Sequence, residues 1–184
     1  MKKYKIGVIV GSLRKESFNL KTAKALMEMA PDSLSFEMID IANLPMFNED
    51  LEETPPKEWV TFREQIVAVD GILFLTPEYN RSVTGVLKNA VDVGSRPYGQ
   101  NSWDGKPAGI VSVSIGGISG FGANHHLRQS LVFVNMHTMA QPEAYIGGAG
   151  ALFDDNGKLI NDGTKDFLKS YMKAFEKWIV KNAQ

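Results

Sequence analysis

The sequence of 184 residues contains no cysteine, no long apolar run and almost no excess of charge of either sign. Without cysteine the chain can form no disulfide, thiolate nucleophile, cysteine-ligated zinc site or iron–sulfur cluster. Any redox chemistry must therefore come from a bound cofactor. Because 20 basic residues face 21 acidic ones and the net charge is -1, the composition predicts no general attraction to nucleic acid or to anionic membranes.

The apolar stretches are much shorter than the roughly 20 residues of a membrane span. The first residues look superficially like a signal peptide, but the apolar run ends at Gly11 and no small-residue cleavage site follows. We therefore expect a soluble, cytoplasmic protein. The length, with 43% hydrophobic and 22% charged residues, predicts one α/β domain over residues 1–184.

Short apolar runs alternate with segments of helical periodicity, which is typical of a parallel sheet covered by helices on both faces. The predicted strands are 5–10, 36–41, 71–76, 108–114 and 140–146, and the predicted helices are 18–30, 59–69, 83–93, 123–136 and a last one with Phe167, Tyr171, Phe175, Trp178 and Ile179 on its buried face. Before that last helix, 154–157 predicts a tight turn. Right-handed crossovers then predict a flavodoxin-like three-layer α/β sandwich with five parallel strands in the order 2-1-3-4-5.

In this strand order a ligand is expected beyond the carboxyl ends of strands 1 and 3, where the direction of winding changes. Three loops reach that edge of the predicted sheet. They are 11–19, 77–81 and 115–122, and we refer to them as the first, second and third loops.

The first loop carries many hydrogen-bond donors just before a predicted helix. Gly11 permits a sharp turn, Ser12, Ser17 and Asn19 offer polar side chains, and Arg14 offers a fork suited to phosphate. The helix N-terminus adds unpaired N–H groups and a positive dipole end. The pattern predicts a phosphate cradle, and the simpler alternative is an ordinary turn capped by Ser17.

The second and third loops can border a flat ligand. Pro77 ends strand 3, and the backbone beside Asn80 can read the polar edge of a heteroaromatic ring with Tyr79 as a wall. The alternative is a simple turn. The third loop has four glycines, which let the backbone approach a ligand closely or make the segment a flexible linker.

Several other functions lack their signatures in this sequence. The dinucleotide, P-loop, nucleophile-elbow and H-E-x-x-H motifs are absent, and a tyrosine phosphatase of this topology would need a thiolate. A response regulator would need acidic residues where this chain has Ser12 and Thr76. His125, His126 and His137 are expected at the surface or an interface rather than on a metal.

Several motifs resemble those of one known family over nearly the whole chain. They are Gly11-Ser12-Leu13-Arg14-Lys15 with Ser17 and Asn19, Pro77-Glu78-Tyr79-Asn80, Leu87-Lys88-Asn89-Ala90, His126-Leu127-Arg128-Gln129 and Gln141-Pro142-Glu143. The sequence in this respect resembles the NADPH-dependent FMN reductase family, and within it the bacterial quinone and chromate reductases.

The resemblance implies a noncovalent FMN site on the three loops. The FMN phosphate would lie at Ser12, Arg14, Ser17 and Asn19 with Leu20, and the isoalloxazine at Pro77, Glu78, Tyr79 and Asn80, completed by Ser114, Ile115, Gly116 and Gly117. No catalytic side chain is expected, because flavin N5 carries the chemistry. The resemblance also implies a homodimer or homotetramer with Arg128 and Glu143 at subunit contacts.

The implied activity is transfer of hydride from NADPH or NADH through FMN to a quinone or a similar acceptor, such as an azo compound, chromate or free flavin. Donor and acceptor would take turns over one ring face, which predicts ping-pong kinetics. The alternatives are a flavodoxin-like electron carrier without NAD(P)H turnover and a non-redox scaffold. Flavodoxins are typically strongly acidic, so the nearly neutral charge favours the enzyme.

Two features depart from the family pattern. Arg81 and Thr84 stand where a tyrosine and a proline are expected, and the segment 98–103 is unusually aromatic. Both departures are expected to border the substrate opening and so to affect the choice of acceptor. A further hypothesis is that Arg81 attracts the adenosine 2'-phosphate of NADPH.

Overall fold

Strands and helices alternate along the chain in the computed structural model, which describes residues 2–183. The elements in chain order are β1 (Tyr4–Val10), α1 (Phe18–Glu28), β2 (Leu34–Met38), α2 (Lys57–Val67), β3 (Gly71–Thr76), α3 (Gly85–Gly94), β4 (Pro107–Val113), α4 (Phe121–Phe133), β5 (His137–Thr138), β6 (Ala144–Ile146) and α5 (Asp162–Asn182). Among these residues no helix is both long and apolar enough to cross a membrane.

The sheet is parallel with the order β2-β1-β3-β4-β5, and β6 also pairs with β4. This confirms the predicted flavodoxin-like order. Helices α1 and α5 pack on one face of the sheet, and α2, α3 and α4 pack on the other. Because Val10 pairs with Leu75 and Thr76 pairs with Ser112, the carboxyl ends of β1, β3 and β4 lie side by side.

Two predicted strands differ from the structure by more than one residue, whereas 5–10 and 108–114 differ from it by a single residue at one or both ends. The predicted fifth strand, 140–146, is wrong in extent, because β5 and β6 pair with different parts of β4 and the chain leaves the sheet between them around Pro142. Proline has no N–H to donate to a ladder. The predicted second strand, 36–41, begins two residues late and runs three residues too far, since Ile39 and Ile41 are buried beyond the end of β2.

Two of the four aromatic residues predicted on the buried face of α5 are core residues, and Phe167 and Trp178 are only partly buried against the core. Tyr171 and Phe175 are fully buried, and the Tyr171 hydroxyl donates to the carbonyl of Ile110 at 3.2 Å. Burial raises the pKa of Tyr171 well above its usual value. This hydroxyl therefore stays protonated and joins α5 to the middle of β4.

The aromatic segment 98–103 does not border the predicted substrate opening. It joins the end of α3 to the start of β4 and so lies at the amino edge of the sheet, opposite the three loops. Trp103 is fully buried against Phe62 and Phe74. Tyr98 is exposed and lies beside the guanidinium of Arg96, 4.7 Å from the ring centroid. The prediction that this segment borders the substrate opening is therefore wrong.

Candidate functional site

The first and second loops are joined at the carboxyl edge of the sheet. The Gly11 N–H donates to the carbonyl of Leu75 at 2.8 Å, and the Thr84 hydroxyl donates to the Gly11 carbonyl at 2.7 Å. Thr84 is also the N-cap of α3 and accepts from the Leu87 N–H at 3.4 Å. A side chain at residue 11 would place its Cβ 2.9 Å from Leu87 Cδ2 and 3.2 Å from the Leu75 carbonyl oxygen, so a larger residue would crowd the place where α3 meets the first loop.

We expect Thr84→Val to destabilise the protein by about 2 kcal/mol. Valine keeps the shape of the buried side chain but removes one hydrogen bond to Gly11 and one helix cap. Urea unfolding followed by circular dichroism measures this loss. Thr84→Ser retains the hydroxyl and should recover most of the stability. Equal stability of the valine variant and the natural chain would mean that neither bond contributes.

The hydroxyl of Ser17 caps α1 and accepts from the Leu20 N–H at 3.2 Å. The simpler explanation of Ser17 as a helix cap is therefore correct for this residue, and the Leu20 amide is already occupied. Ser12 and Arg14 extend beyond the sheet in the same loop, partly and largely exposed. The first amides of α1 have no acceptor within the helix, so the loop keeps donors for an anion.

Asn19 provides the best test of what this edge can bind. Its side chain is buried, and its Nδ2 donates to the Val113 carbonyl at the end of β4, at 3.3 Å. Its Oδ1 is buried without a hydrogen-bond partner within residues 2–183. A phosphate oxygen carries no proton for this acceptor, whereas a hydroxyl does. Asn19 Oδ1 therefore fits a hydroxyl of a ligand rather than the phosphate that the sequence suggested.

The charges of the first loop also favour an anion. Lys21 bonds Glu16 at 3.1 Å, and this hydrogen bond and charge lower the pKa of Glu16, with smaller effects from Lys15 and Arg14. The only carboxylate of the loop is thus paired. Arg14 and Lys15 remain as an excess of positive charge beside the helix N-terminus.

The second loop is a tight two-residue turn. Tyr79 and Ser82 exchange backbone hydrogen bonds of 3.0 Å each, and Asn80 and Arg81 between them have positive φ values of 52° and 64°. The backbone of the second loop is therefore a simple turn, as the alternative interpretation predicts, and a contact with a ligand stays a prediction. The turn also presents Tyr79, which is 54% exposed, and the exposed side chain of Asn80 at the carboxyl edge.

Glu78 joins the second loop to α4. Its Oε2 accepts from the Ala123 N–H at 3.1 Å, and its Oε1 bonds the Arg81 guanidinium at 3.0 Å. A side chain at Gly122 would place its Cβ 2.8 Å from the Arg81 carbonyl, so the loop and the helix are in close contact. The Glu78 carboxylate thus faces α4 and Arg81, and only its backbone is left for the predicted contact with a ring.

The third loop is held by hydrogen bonds at its start, through Ser114, and near its end, where the Ser119 carbonyl accepts from the Ser112 hydroxyl at 2.8 Å. The Ser114 N–H donates to Ile146, the Ala149 N–H donates to the Ser114 carbonyl, and the Ser114 hydroxyl accepts from the Gly116 N–H. The alternative of a flexible linker is not supported by these bonds. A Cβ at Gly116 would contact only Ser114 Oγ, at 3.7 Å, and one at Gly117 would have nothing within 4 Å. Both glycines therefore face open space and leave their backbone accessible to a ligand.

Large apolar side chains are exposed on all three loops at this edge. They are Leu13, Tyr79, Ile115, Ile118 and Phe121, each at least half exposed. Exposed apolar patches of this kind mark binding surfaces. The edge thus offers donors and positive charge at the first loop and apolar contacts at the other two, which suits a ligand with a phosphate tail and a flat ring.

The structure also shows roles that the sequence did not predict. Thr84 joins the first and second loops through its hydrogen bond to the Gly11 carbonyl. Its other role, as the N-cap of α3, could have been predicted from the sequence, because threonine is a common residue at the start of a helix. In the sequence, Ile118 and Phe121 carry no signal that separates an exposed position from a buried one.

Arg128 donates to Asn124 Oδ1 and to the Met139 carbonyl, both at 2.9 Å, so its guanidinium is engaged in hydrogen bonds within the chain.

The adjacent histidines lie at the surface, as expected. His125 Nε2 is 3.0 Å from the Tyr145 hydroxyl, and His126 Nδ1 is 2.9 Å from Ser82 Oγ. Burial and the neighbouring carboxylate of Glu143 raise the pKa of Tyr145 to about 12. Within residues 2–183 no three histidine, aspartate or glutamate side chains are grouped in a way that could hold a metal ion.

Comparisons with known proteins cover all three loops. The family model described as NADPH-dependent FMN reductase matches residues 4–151. The chain is 59% identical over 180 residues to a quinone reductase of Pseudomonas putida (97% of this chain, 96% of that protein) and 42% identical over 175 residues to a 2-hydroxy-1,4-benzoquinone reductase of a Burkholderia species (95% and 96%). Among solved structures, the flavoenzyme NAD(P)H:(acceptor) oxidoreductase FerB of Paracoccus denitrificans is 39% identical with a TM-score of 0.93, covering 98% of this chain and all of that one.

Proposed function

The chain belongs to the NADPH-dependent FMN reductase family, and we propose that it is an enzyme that binds FMN and uses NADPH or NADH to reduce a quinone or a similar small acceptor. The observation that carries the proposal is the meeting of the three loops at the ends of β1, β3 and β4. The donors of the first loop and the apolar side chains of the other two together match a phosphate-bearing flavin.

Each part of the proposed cofactor has a candidate partner. Ser12, Arg14 and the first amides of α1 would hold the phosphate, and Asn19 Oδ1 would accept from a ribityl hydroxyl. The backbone of 77–80 and of 114–117 would border the ring. When bound, FMN supplies the two-electron chemistry between NAD(P)H and the acceptor. The residues of the chain orient the cofactor and exclude water from one side of it.

The apolar opening is shared by donor and acceptor in this proposal. Tyr79, Ile115 and Phe121 are each at least half exposed on the second and third loops, and in this proposal the nicotinamide and the quinone would occupy the space beside them alternately. Alternate occupation predicts ping-pong kinetics. Initial rates at several fixed quinone concentrations should therefore give parallel lines in a double-reciprocal plot, and intersecting lines would rule out a shared position.

The activity is tested by anaerobic mixing of the yellow protein with NADPH. We expect the flavin absorbance to bleach within seconds and to return when a quinone is added. A protein that keeps its absorbance would be an electron carrier or a flavin store. Turnover with quinones, free FMN, azo dyes and metal oxyanions then ranks the acceptors.

We expect Arg81→Ala to lower kcat/KM for NADPH about tenfold and to leave kcat/KM for NADH unchanged. The Arg81 side chain is largely exposed, although it bonds Glu78, and it can bind the 2'-phosphate that only NADPH carries. Arg81→Lys should retain part of the preference. An unchanged ratio of the two kcat/KM values would exclude this role.

A second copy of the chain is the proposed partner for the groove between α3 and α4. The groove measures about 910 Å³ and is lined by Val83, Val91 and Val132 together with Phe133, which is 90% exposed. Val132 beside it is 66% exposed, and adjacent exposed apolar side chains are typical of a surface that another chain covers. A twofold arrangement would cover this patch on both subunits at once. The proposed assembly is therefore a homodimer or a homotetramer built on this face.

We expect Phe133→Asp to weaken self-association at least tenfold, because a carboxylate would be buried in the contact. Light scattering during gel filtration at several protein concentrations measures the mass. Met46→Asp is the matched control, since Met46 is also highly exposed but lies outside the groove. A mass that is equal for both variants and the natural chain would place the interface elsewhere.

A further inference from the structure

Five lysines surround one groove on the face of the molecule formed by α1 and α5. Lys21 and Lys24 come from α1, Lys165 and Lys169 from α5, and Lys158 from the segment between β6 and α5. Glu28 is the only acidic residue that lines the groove. This is a strong local excess of positive charge in a chain whose net charge is -1.

Two of the five lysines pair with carboxylates, and with Glu28 this leaves a local excess of two positive charges. Glu16 pairs with Lys21 at 3.1 Å, and Asp162 pairs with Lys165 at 2.8 Å. Across residues 2–183, no carboxylate lies within 4 Å of the Nζ atom of Lys24, Lys158 or Lys169. Like charges three or four residues apart destabilise a helix. Lys21 and Lys24 on α1 and Lys165 and Lys169 on α5 are spaced in this way, so neutral residues at these positions would make both helices more stable.

The turn predicted at 154–157 shapes one wall of the groove. Asp154 Oδ1 accepts from the N–H groups of Asn156 and Lys158 at 3.0 and 2.8 Å, so this carboxylate serves the turn. Gly157 has a φ of 78°, and a Cβ there would lie 3.2 Å from Lys21 Cε. The turn therefore rests on the stem of Lys21 and holds Lys158 over the groove.

We propose that this groove binds a multiply phosphorylated anion, such as the phosphate chain of a nucleoside triphosphate, at a site separate from the flavin. Its volume of about 470 Å³ is in the range of small-molecule sites. Ala25, Met29 and Leu159 provide an apolar floor beside the lysines, which suits a base or a ring attached to the phosphates. No residue of the second or third loop lines it.

Calorimetric titration of the FMN-loaded protein at low salt tests the proposal. ATP and tripolyphosphate are the probes, and inorganic phosphate is the comparison. We expect saturable binding of the two probes, at least tenfold weaker binding of phosphate, and a steep loss of affinity with added salt. Tighter binding of ATP than of tripolyphosphate would identify a nucleotide as the ligand, and equal binding would identify an inorganic chain. Both results support a polyphosphate site.

The double variant Lys24→Glu/Lys169→Glu should lose at least tenfold in affinity for both probes. Its FMN content should not change, and circular dichroism should show that it remains folded without ligand. The control is Lys3→Glu/Lys57→Glu, which makes the same change in net charge at exposed lysines outside the groove.

Four results would overturn the proposal. The first three are the absence of saturable binding to the natural chain, equal loss of affinity in the control, and an increase in the KM for NADPH of the groove variant that matches its loss of ATP affinity. The third result would make the groove part of the nicotinamide site. The fourth, tighter binding of a short RNA than of ATP, would contradict a small-molecule site.

Discussion

Ser17→Asp is expected to give a folded protein that no longer retains FMN. Aspartate is as good an N-cap as serine, so its carboxylate can still accept from the Leu20 N–H at the start of α1. The same carboxylate would face the proposed phosphate. Two like charges about 4 Å apart at an effective dielectric constant of about 20 repel by about 4 kcal/mol, which corresponds to a rise in the FMN Kd of about three orders of magnitude.

The ratio of flavin to protein absorbance after purification measures retention, and fluorescence titration of the flavin-free protein measures the Kd. Asn161→Asp is the matched control. Asn161 is the N-cap of α5 and accepts from the Thr164 N–H at 2.8 Å, so this variant gains the same charge at a helix start outside the site. If Ser17→Asp bound FMN as tightly as the natural chain, the phosphate would not lie at the N-terminus of α1.

The extent to which the sequence predicts the fold depends on how many faces of each strand are buried. All six residues of β3 are buried, and the predicted bounds 71–76 are confirmed because the apolar run and the ladder coincide. β2 is half-exposed and is followed by buried residues such as Ile39. The apolar residues there are buried whether or not they pair with β1, so the apolar run does not mark the ends of the strand. The predicted strand is therefore displaced toward the carboxyl end of β2.

The sequence predicts the position of a site residue best where that residue type has a preferred role in local backbone structure, such as capping a helix or permitting a turn. Ser17 before a helix and Gly11 at the end of a strand have such roles, and both lie where the sequence suggests. The resemblance assigns the side chains of Glu78 and Asn19 to the ligand. In the structure Glu78 accepts from Ala123 in α4, 45 residues away, as well as from nearby Arg81. Asn19 donates to Val113 in β4, 94 residues away. Contacts between distant segments set the direction of a side chain, and no local pattern contains them.

Trp103→Ala is expected to destabilise the protein by about 4 kcal/mol. The side chain is fully buried and packs its indole against Phe62 and Phe74, with ring centroids 5.9 and 5.8 Å apart. A Cβ on Gly94 would lie 2.5 Å from the indole, so the helix backbone itself is in contact with the ring. Truncating a large aromatic side chain at such a position leaves a cavity that the rigid surroundings fill only in part.

Because Trp103 lies at the amino edge of the sheet, away from the three loops, its substitution should lower the stability of the protein without changing its activity. Urea unfolding of the FMN-loaded protein should show the loss, and Trp103→Phe should lose less, since it keeps most of the packing but not the bond from Nε1 to the Val91 carbonyl at 3.0 Å. Tyr98→Ala, in the same segment but 86% exposed, should change stability by less than about 0.5 kcal/mol. All three variants should keep the natural KM for the quinone under conditions in which they are folded. A changed KM with unchanged stability would instead place this segment beside the acceptor and would contradict its position at the opposite edge of the sheet.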